Sequence, residues 1–269
     1  VAVGNGALRG NTTADSNVAV GYQASASSST TGFSVAVGYQ ALFANTADSQ
    51  TAVGYRALNA NTTGEENVAV GVTPLNSNTT GGYNNAFGNN SLSNSTTGSY
   101  NSAFGHNANR LNTTGSYNAA FGAQALYSNT TASNNIAIGY QAGYSNTTGT
   151  QNVVVGVQAF VNSTIGSRNT AVGYQCLVNN SSGNDNSVFG NLSGYGITTG
   201  THNTYVGSNA GQSASTGTFN TFVGQGSGEA ISTGGKNSIF GKFNGNQGGL
   251  DIRTASNYIV LSDGDGNPR

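Results

Sequence analysis

Several residue types are missing or scarce in this 269-residue chain: it has no methionine, no tryptophan, one cysteine and two prolines. A single cysteine excludes a disulfide within the chain, so stability must come from packing and hydrogen bonds. The absence of methionine, in a chain that opens at Val1 within a repeat, predicts a processed or trimmed piece of a longer product.

Charge is scarce as well, because charged residues make up 6% of the chain and the net charge is −1. Soluble domains usually contain about 25% charged residues. Eight lysines and arginines form no basic stripe that could neutralise a run of phosphates. The longest apolar runs are far shorter than the ~20 residues that span a bilayer. We expect neither nucleic-acid binding nor membrane insertion.

Glycine, by contrast, is abundant and periodic. It returns at every seventeenth position, and only the step from Gly38 to Gly54 is shorter, by one. We predict that these glycines occupy turns with positive φ, where a Cβ would cost ~1–2 kcal/mol. Such a period indicates about fifteen copies of one small unit that buries its apolar face against its neighbours. The recurring glycines are Gly4, Gly21, Gly38, Gly54, Gly71, Gly88, Gly105, Gly122, Gly139, Gly156, Gly173, Gly190, Gly207, Gly224 and Gly241.

Each column of the aligned repeat has its own chemistry. The residue before the glycine is large and apolar, as at Val20 and Phe87, and is predicted to form the core. The residue before that is mostly alanine, as at Ala69, and is predicted to face partner chains, because neighbouring strand residues point to opposite faces. After the glycine we predict a second short strand carrying a buried alanine and leucine, as at Ala57 and Leu58.

Polar residues also recur in columns. Every repeat has serine or threonine eight places after the glycine, which predicts a stacked hydroxyl ladder. Asparagine recurs four places before the glycine, as at Asn67, where its amide can bond turn backbone and stack on the next coil. A second glycine, as at Gly64, is predicted to close the other corner of the coil.

These patterns predict the fold class. Short segments rich in Val, Phe and Thr, cut by glycine, favour strands and exclude long helices. We predict an all-β, elongated parallel β-solenoid of about 15 coils over residues 1–243, followed by a C-terminal transition segment at 244–269. A continuous apolar stripe marks an interaction surface, which predicts a homo-oligomer.

Four segments resemble known families. Asn-Val-Ala-Val-Gly at 67–71 and Asn-Ile-Ala-Ile-Gly at 135–139 resemble the repeated strand of trimeric autotransporter adhesin heads. The unit Thr-Ala-Val-Gly-Tyr-Arg-Ala-Leu-Asn-Ala-Asn-Thr-Thr-Gly at 51–64 resembles repeats of bacteriophage tail fibres. Residues 256–267 resemble the stretch before the self-cleaving intramolecular chaperone domain of phage fibres and tailspikes. The resemblance implies a homotrimer.

Candidate sites for chemistry are few. His106 and His202 fall in different columns and cannot share a metal, and Cys176 occupies the small-residue column as a packing residue. We predict no catalytic, cofactor or metal site. Tyr83, Tyr100 and Tyr117 share one column and could grip a host surface glycan; the alternative is that they pack on each other at an outer corner.

The expected function is a non-enzymatic shaft of a phage tail fibre, located in the virion, that presents or supports host-receptor attachment. One alternative is an adhesin or filament at the bacterial cell surface. A second alternative, prompted by the hydroxyl ladder, is an ice-binding solenoid. A chaperone domain after Arg269 would favour the phage fibre, whereas a membrane anchor would favour the adhesin.

Overall fold

The computed structural model describes residues 1–30 and 32–269, and these residues form strands and turns without a helix. Two compact units divide the chain, Val1–Asn134 and Asn135–Arg269. The strands are β1 Ala2–Val3, β2 Val18–Val20, β3 Val35–Val37, β4 Thr51–Val53, β5 Val68–Val70, β6 Asn85–Phe87, β7 Ser102–Phe104, β8 Ala119–Phe121, β9 Ile136–Ile138, β10 Val153–Val155, β11 Thr170–Val172, β12 Ser187–Phe189, β13 Thr204–Val206, β14 Thr221–Val223, β15 Ser238–Phe240, β16 Asn246–Gln247, β17 Leu250–Asp251 and β18 Ile259–Leu261.

Each unit is a parallel β-solenoid, as the period predicted. In the first unit β1 to β8 pair in sequence order, and in the second β9 to β15 do so before β18 joins β15. Strand residues pair with their equivalents one repeat away, for example Ala69 with Ala86 and Ala103 with Ala120. One coil, which is one sequence repeat, therefore advances the chain by one strand.

The inner and outer faces of the strands are the reverse of the prediction. The alanine column is fully buried inside the coil, whereas Val20, Phe121 and Phe240 of the column before the glycine are 36%, 39% and 45% exposed. Alternation along a strand fixes only that the two columns face opposite ways. A coil this short is narrow, so the small residue turns inward and the large one outward.

The second predicted strand is also wrong, because the arc after the glycine consists of turns. Its backbone has positive φ at every second residue, 52° at Gln40 and 53° at Leu42. The N–H of Gln40 donates to the carbonyl of Tyr22 in the preceding coil at 2.9 Å, and that of Leu42 to Ala57 in the next at 3.0 Å. Hydrogen bonds to both neighbouring coils offset the ~1–2 kcal/mol cost of each left-handed residue. Burial of the alanine and leucine of this arc is confirmed.

The two recurring glycines are required for different reasons. Gly71 has φ of 136°, and a Cβ there would lie 2.7 Å from the carbonyl oxygen of Gly88. Gly98 is outside the left-handed region, but its Cβ would collide with the carbonyl oxygen of Gly115. The first position needs glycine for its conformation and its space, and the second for space alone.

The shortened coil, between Gly38 and Gly54, loses one member of its threonine pair. Thr46 Oγ1 donates to the Thr62 carbonyl at 2.8 Å, as Thr62 Oγ1 does to Thr79 at 2.9 Å, so these residues are equivalent. The deletion then shortens the next corner, where Asn45 Nδ2 donates to the carbonyl of Ala47 at 2.7 Å, two residues ahead. The equivalent amide in the next coil reaches three residues ahead.

A longer side chain compensates for that deletion. Gln50 stands where most other coils have the asparagine four places before the glycine. Its Nε2 donates to the Gly64 carbonyl at 2.9 Å, and its Oε1 accepts the Asn67 N–H at 3.2 Å. The extra methylene keeps the shortened coil in hydrogen-bond register with the next one.

The interior changes character in the later coils of the second unit. From β12 onward Val188, Tyr205, Phe222 and Ile239 replace the inward alanine, and all are fully buried. Glycine replaces the leucine on the arc, and a Cβ at Gly228 would lie 2.5 Å from Phe222 Cδ2. The strand column and the arc column therefore face each other across the interior and share its volume.

The last coil is longer than the others. Ser238 of β15 pairs with Ile259 of β18, and the inserted residues between them contain the antiparallel hairpin β16–β17. Beyond β18, Asp263 Oδ1 accepts the N–H groups of Asp265 and Asn267 at 3.1 and 2.9 Å. The predicted boundary after residue 243 stays a prediction; a parallel strand follows it at Ile259–Leu261.

Candidate functional site

The surface of each unit offers ladders of equivalent side chains. Among the described residues there is no pocket, no group of three metal-ligating side chains, and no helix that is long and apolar enough to cross a membrane. Candidate functions therefore have to be read from columns of side chains along the coils.

Cys176 is a packing residue. Its side chain is fully buried, its Sγ donates to the Val188 carbonyl at 3.4 Å, and burial raises the pKa of the thiol to about 12. A nucleophilic cysteine needs a lowered pKa. The thiol remains protonated at neutral pH.

The two histidines belong to different units. His106 Nδ1 lies 3.2 Å from the Asn107 amide nitrogen. His202 stacks on Phe219 with ring centroids 4.8 Å apart, and its Nε2 lies 3.7 Å from Asp185 Oδ2. Each histidine belongs to its own surface column.

The predicted asparagine column forms a buried amide ladder. The Asn101 N–H donates to Asn84 Oδ1 at 3.0 Å, and its Nδ2 donates to the Gly115 carbonyl at 2.9 Å. Asn118 repeats both contacts one coil later, with Asn101 Oδ1 and the Ala132 carbonyl. Because each amide bonds its own coil and its neighbour, the ladder fixes the register of the coils.

A second buried amide ladder was not predicted from the sequence. It lies seven places after the glycine, where Asn78 Nδ2 donates to Asn61 Oδ1 and to the Gly81 carbonyl, both at 2.8 Å. The signal was present in the repeated Asn-Thr-Thr-Gly. These asparagines also match the N-glycosylation pattern, but their amides are buried and hydrogen-bonded, which leaves no room for a glycan in the folded coil.

Serine interrupts this second ladder. Ser95 and Ser163 replace the asparagine, and their hydroxyls are buried without a hydrogen-bond partner among the described residues. The amide oxygens of Asn78 and Asn146, one coil earlier, are also left without a partner there. Two polar groups are thus unsatisfied at Ser95 and again at Ser163, whereas Ser28, which also replaces the asparagine, donates its hydroxyl to the Asn45 carbonyl at 3.2 Å.

The hydroxyls of the predicted ladder donate hydrogen bonds to backbone carbonyls of the next coil. Thr79 Oγ1 donates to the Thr96 carbonyl at 3.0 Å, and Thr96 Oγ1 donates to the Thr113 carbonyl at the same distance. Equivalent bonds recur in both units. The hydroxyl hydrogens of this column are engaged within the protein.

Tyr83, Tyr100 and Tyr117 form one continuous stack. Their ring centroids are 4.8 and 5.0 Å apart, and the planes are inclined by 2° and 4°. The rings cover one another's facing sides, so within the stack the exposed parts are ring edges and hydroxyls. Exposure increases along the stack, from 41% through 49% to 59%.

A second tyrosine stack occupies the residue after the glycine. Tyr22, Tyr39 and Tyr55 lie with successive centroids 5.3 Å apart, at interplanar angles of 13° and 10°. Beside it, Gln40 Nε2 donates to Gln23 Oε1 at 2.9 Å. This corner is held by contacts between equivalent side chains.

The outer strand face carries no charged side chain in β1 to β15. Phe87, Phe104 and Phe121 stack along it with centroids 4.7 and 4.8 Å apart. Valine occupies the same column at Val37, Val53 and elsewhere. Each unit therefore presents an uncharged sheet face with a row of large apolar side chains, the outer strand face.

In the second unit, the column that contains the tyrosine stack carries an ion pair. Arg168 Nε donates to Asp185 Oδ1 at 2.6 Å, and Arg168 NH2 donates to Oδ2 at 2.9 Å. The hydrogen bond and charge of Arg168 lower the pKa of the Asp185 carboxyl, and His202 lowers it further. The same bond raises the pKa of Arg168.

Comparison with protein-family models, with curated proteins and with solved structures gives no match. The functional argument rests on the geometry of the ladders and faces described above.

Proposed function

We propose that the chain is a non-enzymatic, homotrimeric segment of a phage tail fibre, a stiff extracellular spacer that presents or supports contact with a host receptor. The observation that carries the proposal is the uncharged outer strand face, repeated at every coil. Ladders of amides and hydroxyls between neighbouring coils support a spacer role, because they make each coil depend on the next.

The outer strand face supports self-association. Large apolar residues that stay partly exposed in one copy lose contact with water when another copy covers them, at roughly 25 cal/mol per Å². Equivalent residues of this face recur at the same interval in every copy, so two copies can pack with their rows of apolar side chains in contact. The number three comes from the resemblance to trimeric adhesin heads and phage fibres.

The test of self-association is the mass of the full chain in solution, by light scattering or native mass spectrometry. We expect a trimer. Phe104→Lys places a charge in the middle of the phenylalanine stack and should yield monomer. Tyr39→Lys, at the corner beside the face, is the matched control and should remain trimeric. A monomeric wild-type chain would overturn the proposed assembly.

The full-length gene tests the fibre assignment. A chaperone domain encoded after Arg269 is the expected result, and a membrane anchor there would replace the phage fibre by the bacterial adhesin. Ice binding by the predicted hydroxyl ladder is disfavoured, because the hydroxyls of that ladder already donate to backbone carbonyls. We expect no thermal hysteresis.

A further inference from the structure

Two exposed columns run side by side in the second half of the first unit. One contains Thr80, Thr97 and Thr114, and the other contains the stacked Tyr83, Tyr100 and Tyr117. A buried glycine and one further residue separate each threonine from its tyrosine. We call these six residues the Thr–Tyr strip. The strip lies outside the strands and so does not overlap the outer strand face.

The strip is rigid because its backbone is tied between coils. The Gly82 N–H donates to Ser99 Oγ, and the Ser99 N–H donates to Ser116 Oγ, both at 3.1 Å. The Tyr100 N–H donates to the Gly82 carbonyl at 3.0 Å. A ligand would meet a backbone and a stack of tyrosine rings that are already held in place, which reduces the entropy lost on binding.

The strip offers hydroxyl groups at a constant interval. Thr80, Thr97 and Thr114 side chains are exposed and form no hydrogen bond within the part of the chain that the structure describes. Each tyrosine adds a phenol oxygen and an aromatic edge, repeated every 4.8 to 5.0 Å. Three coils thus present the same donor–acceptor pattern three times.

We propose that the Thr–Tyr strip binds a neutral, extended polysaccharide along the direction in which the coils stack, with successive sugars contacting successive coils. A polymer whose units repeat near the strand spacing places one unit at each coil, and each contact raises the effective concentration for the next. An extended β-1,4-linked glycan spaces its sugars in this way, with alternate sugars turned over.

The electrostatics of the strip favour a neutral polymer. It contains no charged residue, and Glu66 and Glu65 lie beside its first ring, where Glu66 above all raises the pKa of Tyr83. Their carboxylates would repel an acidic polysaccharide. The row of hydroxyls and positively polarised ring edges suits the hydroxyl and ring oxygens of uncharged sugars.

This inference rests on the proposed attachment function and names its ligand class. The test is calorimetric titration of the full chain with cello-oligosaccharides, from disaccharide to octasaccharide. We expect affinity to increase with length until the ligand spans the three tyrosines, and then to level off. Equal affinity for disaccharide and octasaccharide, or no binding, would overturn the proposal.

Variants assign the binding to the strip. Tyr100→Asn should weaken octasaccharide binding by about tenfold, which corresponds to one lost aromatic contact of ~1.4 kcal/mol. Asn134 occupies the same column with φ of 62°, so asparagine fits this backbone. Tyr39→Asn in the other stack is the matched control and should leave the affinity unchanged. An equal loss in both variants would contradict the assignment.

Trimerisation and the encoded downstream domain are measured separately. If the chain is a trimer but binds no cello-oligosaccharide, only the proposed ligand of the Thr–Tyr strip is rejected. Glycan binding by a monomeric chain would retain the strip and remove the proposed assembly.

Discussion

Coils of the first unit and the later coils of the second fill the same backbone differently. In the first, Ala86 on the strand faces the interior together with Leu92 on the arc, and both are fully buried. In the second, Tyr205 stands on the strand and Gly211 on the arc. The backbone is the same, since φ is 50° at Leu92 and 59° at Gly211. The large side chain stands on the arc in the first unit and on the strand in the second. The interior stays filled in both, as dense protein interiors require.

The two regions also differ in buried polarity. The second amide ladder of the first unit, seen at Asn61 and Asn78, is replaced by Ile197, Ala214 and Ile231 in the later coils. A buried amide stabilises only when its hydrogen bonds are made, whereas an apolar side chain needs only a good fit. At this position, the stability of the first unit therefore depends on hydrogen bonds between neighbouring amides. The stability of the later coils depends on how well apolar side chains fit together.

The largest expected effect comes from placing large side chains on the strand and on the arc of the same coil. Gly211→Leu would drive a side chain into the Tyr205 ring, and we expect it to lower the free energy of unfolding by about 3 kcal/mol or more. Adding Tyr205→Ala restores the alanine–leucine arrangement of the first unit and should recover most of the loss. Urea unfolding of the two single variants and the double variant measures this coupling. Simple additivity would show that the two columns do not share space.

The next effect tests the amide ladder that both regions retain. Asn101→Ala leaves the Gly115 carbonyl and the Asn118 N–H without their amide partner, which should cost about 2–4 kcal/mol in urea unfolding. Asn162→Ala is the control, since the Asn162 side chain is exposed and bonds only Asn179 at 3.2 Å. Its change should stay within about 0.5 kcal/mol. Equal effects would contradict a special role for the buried ladder.

A smaller and opposite effect is expected where serine interrupts the second ladder. Ser95→Asn can supply a donor to Asn78 Oδ1 and remove a buried unsatisfied hydroxyl. We expect it to stabilise the chain by about 1 kcal/mol, read from the urea midpoint. Ser163→Asn should gain less, because the larger Phe160 already fills the interior of that coil. Destabilisation by Ser95→Asn would mean that the site has no room for an amide.

The smallest effect concerns the charged column of the second unit. Because Arg168 lowers the pKa of Asp185, the pair contributes stability above the ordinary aspartate pKa of about 4 and loses it as the pH falls below that value. Arg168→Gln should be slightly less stable at pH 7, with the difference vanishing at low pH. Thermal unfolding against pH measures it, and added salt should reduce it. A difference that persists in acid would rule out the ion pair as its cause.

Period, strand class and in-register stacking could be predicted from the sequence, because glycines at one fixed interval leave few alternatives. The amide ladder at Asn67 and its equivalents could be predicted too, since a repeated polar residue at a turn must find repeated partners. These features depend on spacing alone.

The inner face and the arc could not be predicted in the same way. Alternation at Ala69 and Val70 shows that the two residues face apart but leaves open which one faces inward. Tyr-Gln-Ala-Leu at 39–42 has ordinary strand composition, and only hydrogen bonds to coils on both sides select its alternating backbone. The Tyr83 column was visible as a repeat, but the mutual covering of its ring faces needed three-dimensional spacing.

Gln50, in the shortened coil, has a consequence for how such arrays change over generations. A duplication or loss of one whole repeat preserves every ladder, so it can be accepted in one step. Removal of a single codon shifts the residues of one coil out of register with the next. A longer side chain must then make the missing hydrogen bond, as Gln50 does with the Gly64 carbonyl. Variation in this lineage should therefore proceed mainly by whole coils, and solitary indels should be accompanied by a second substitution nearby.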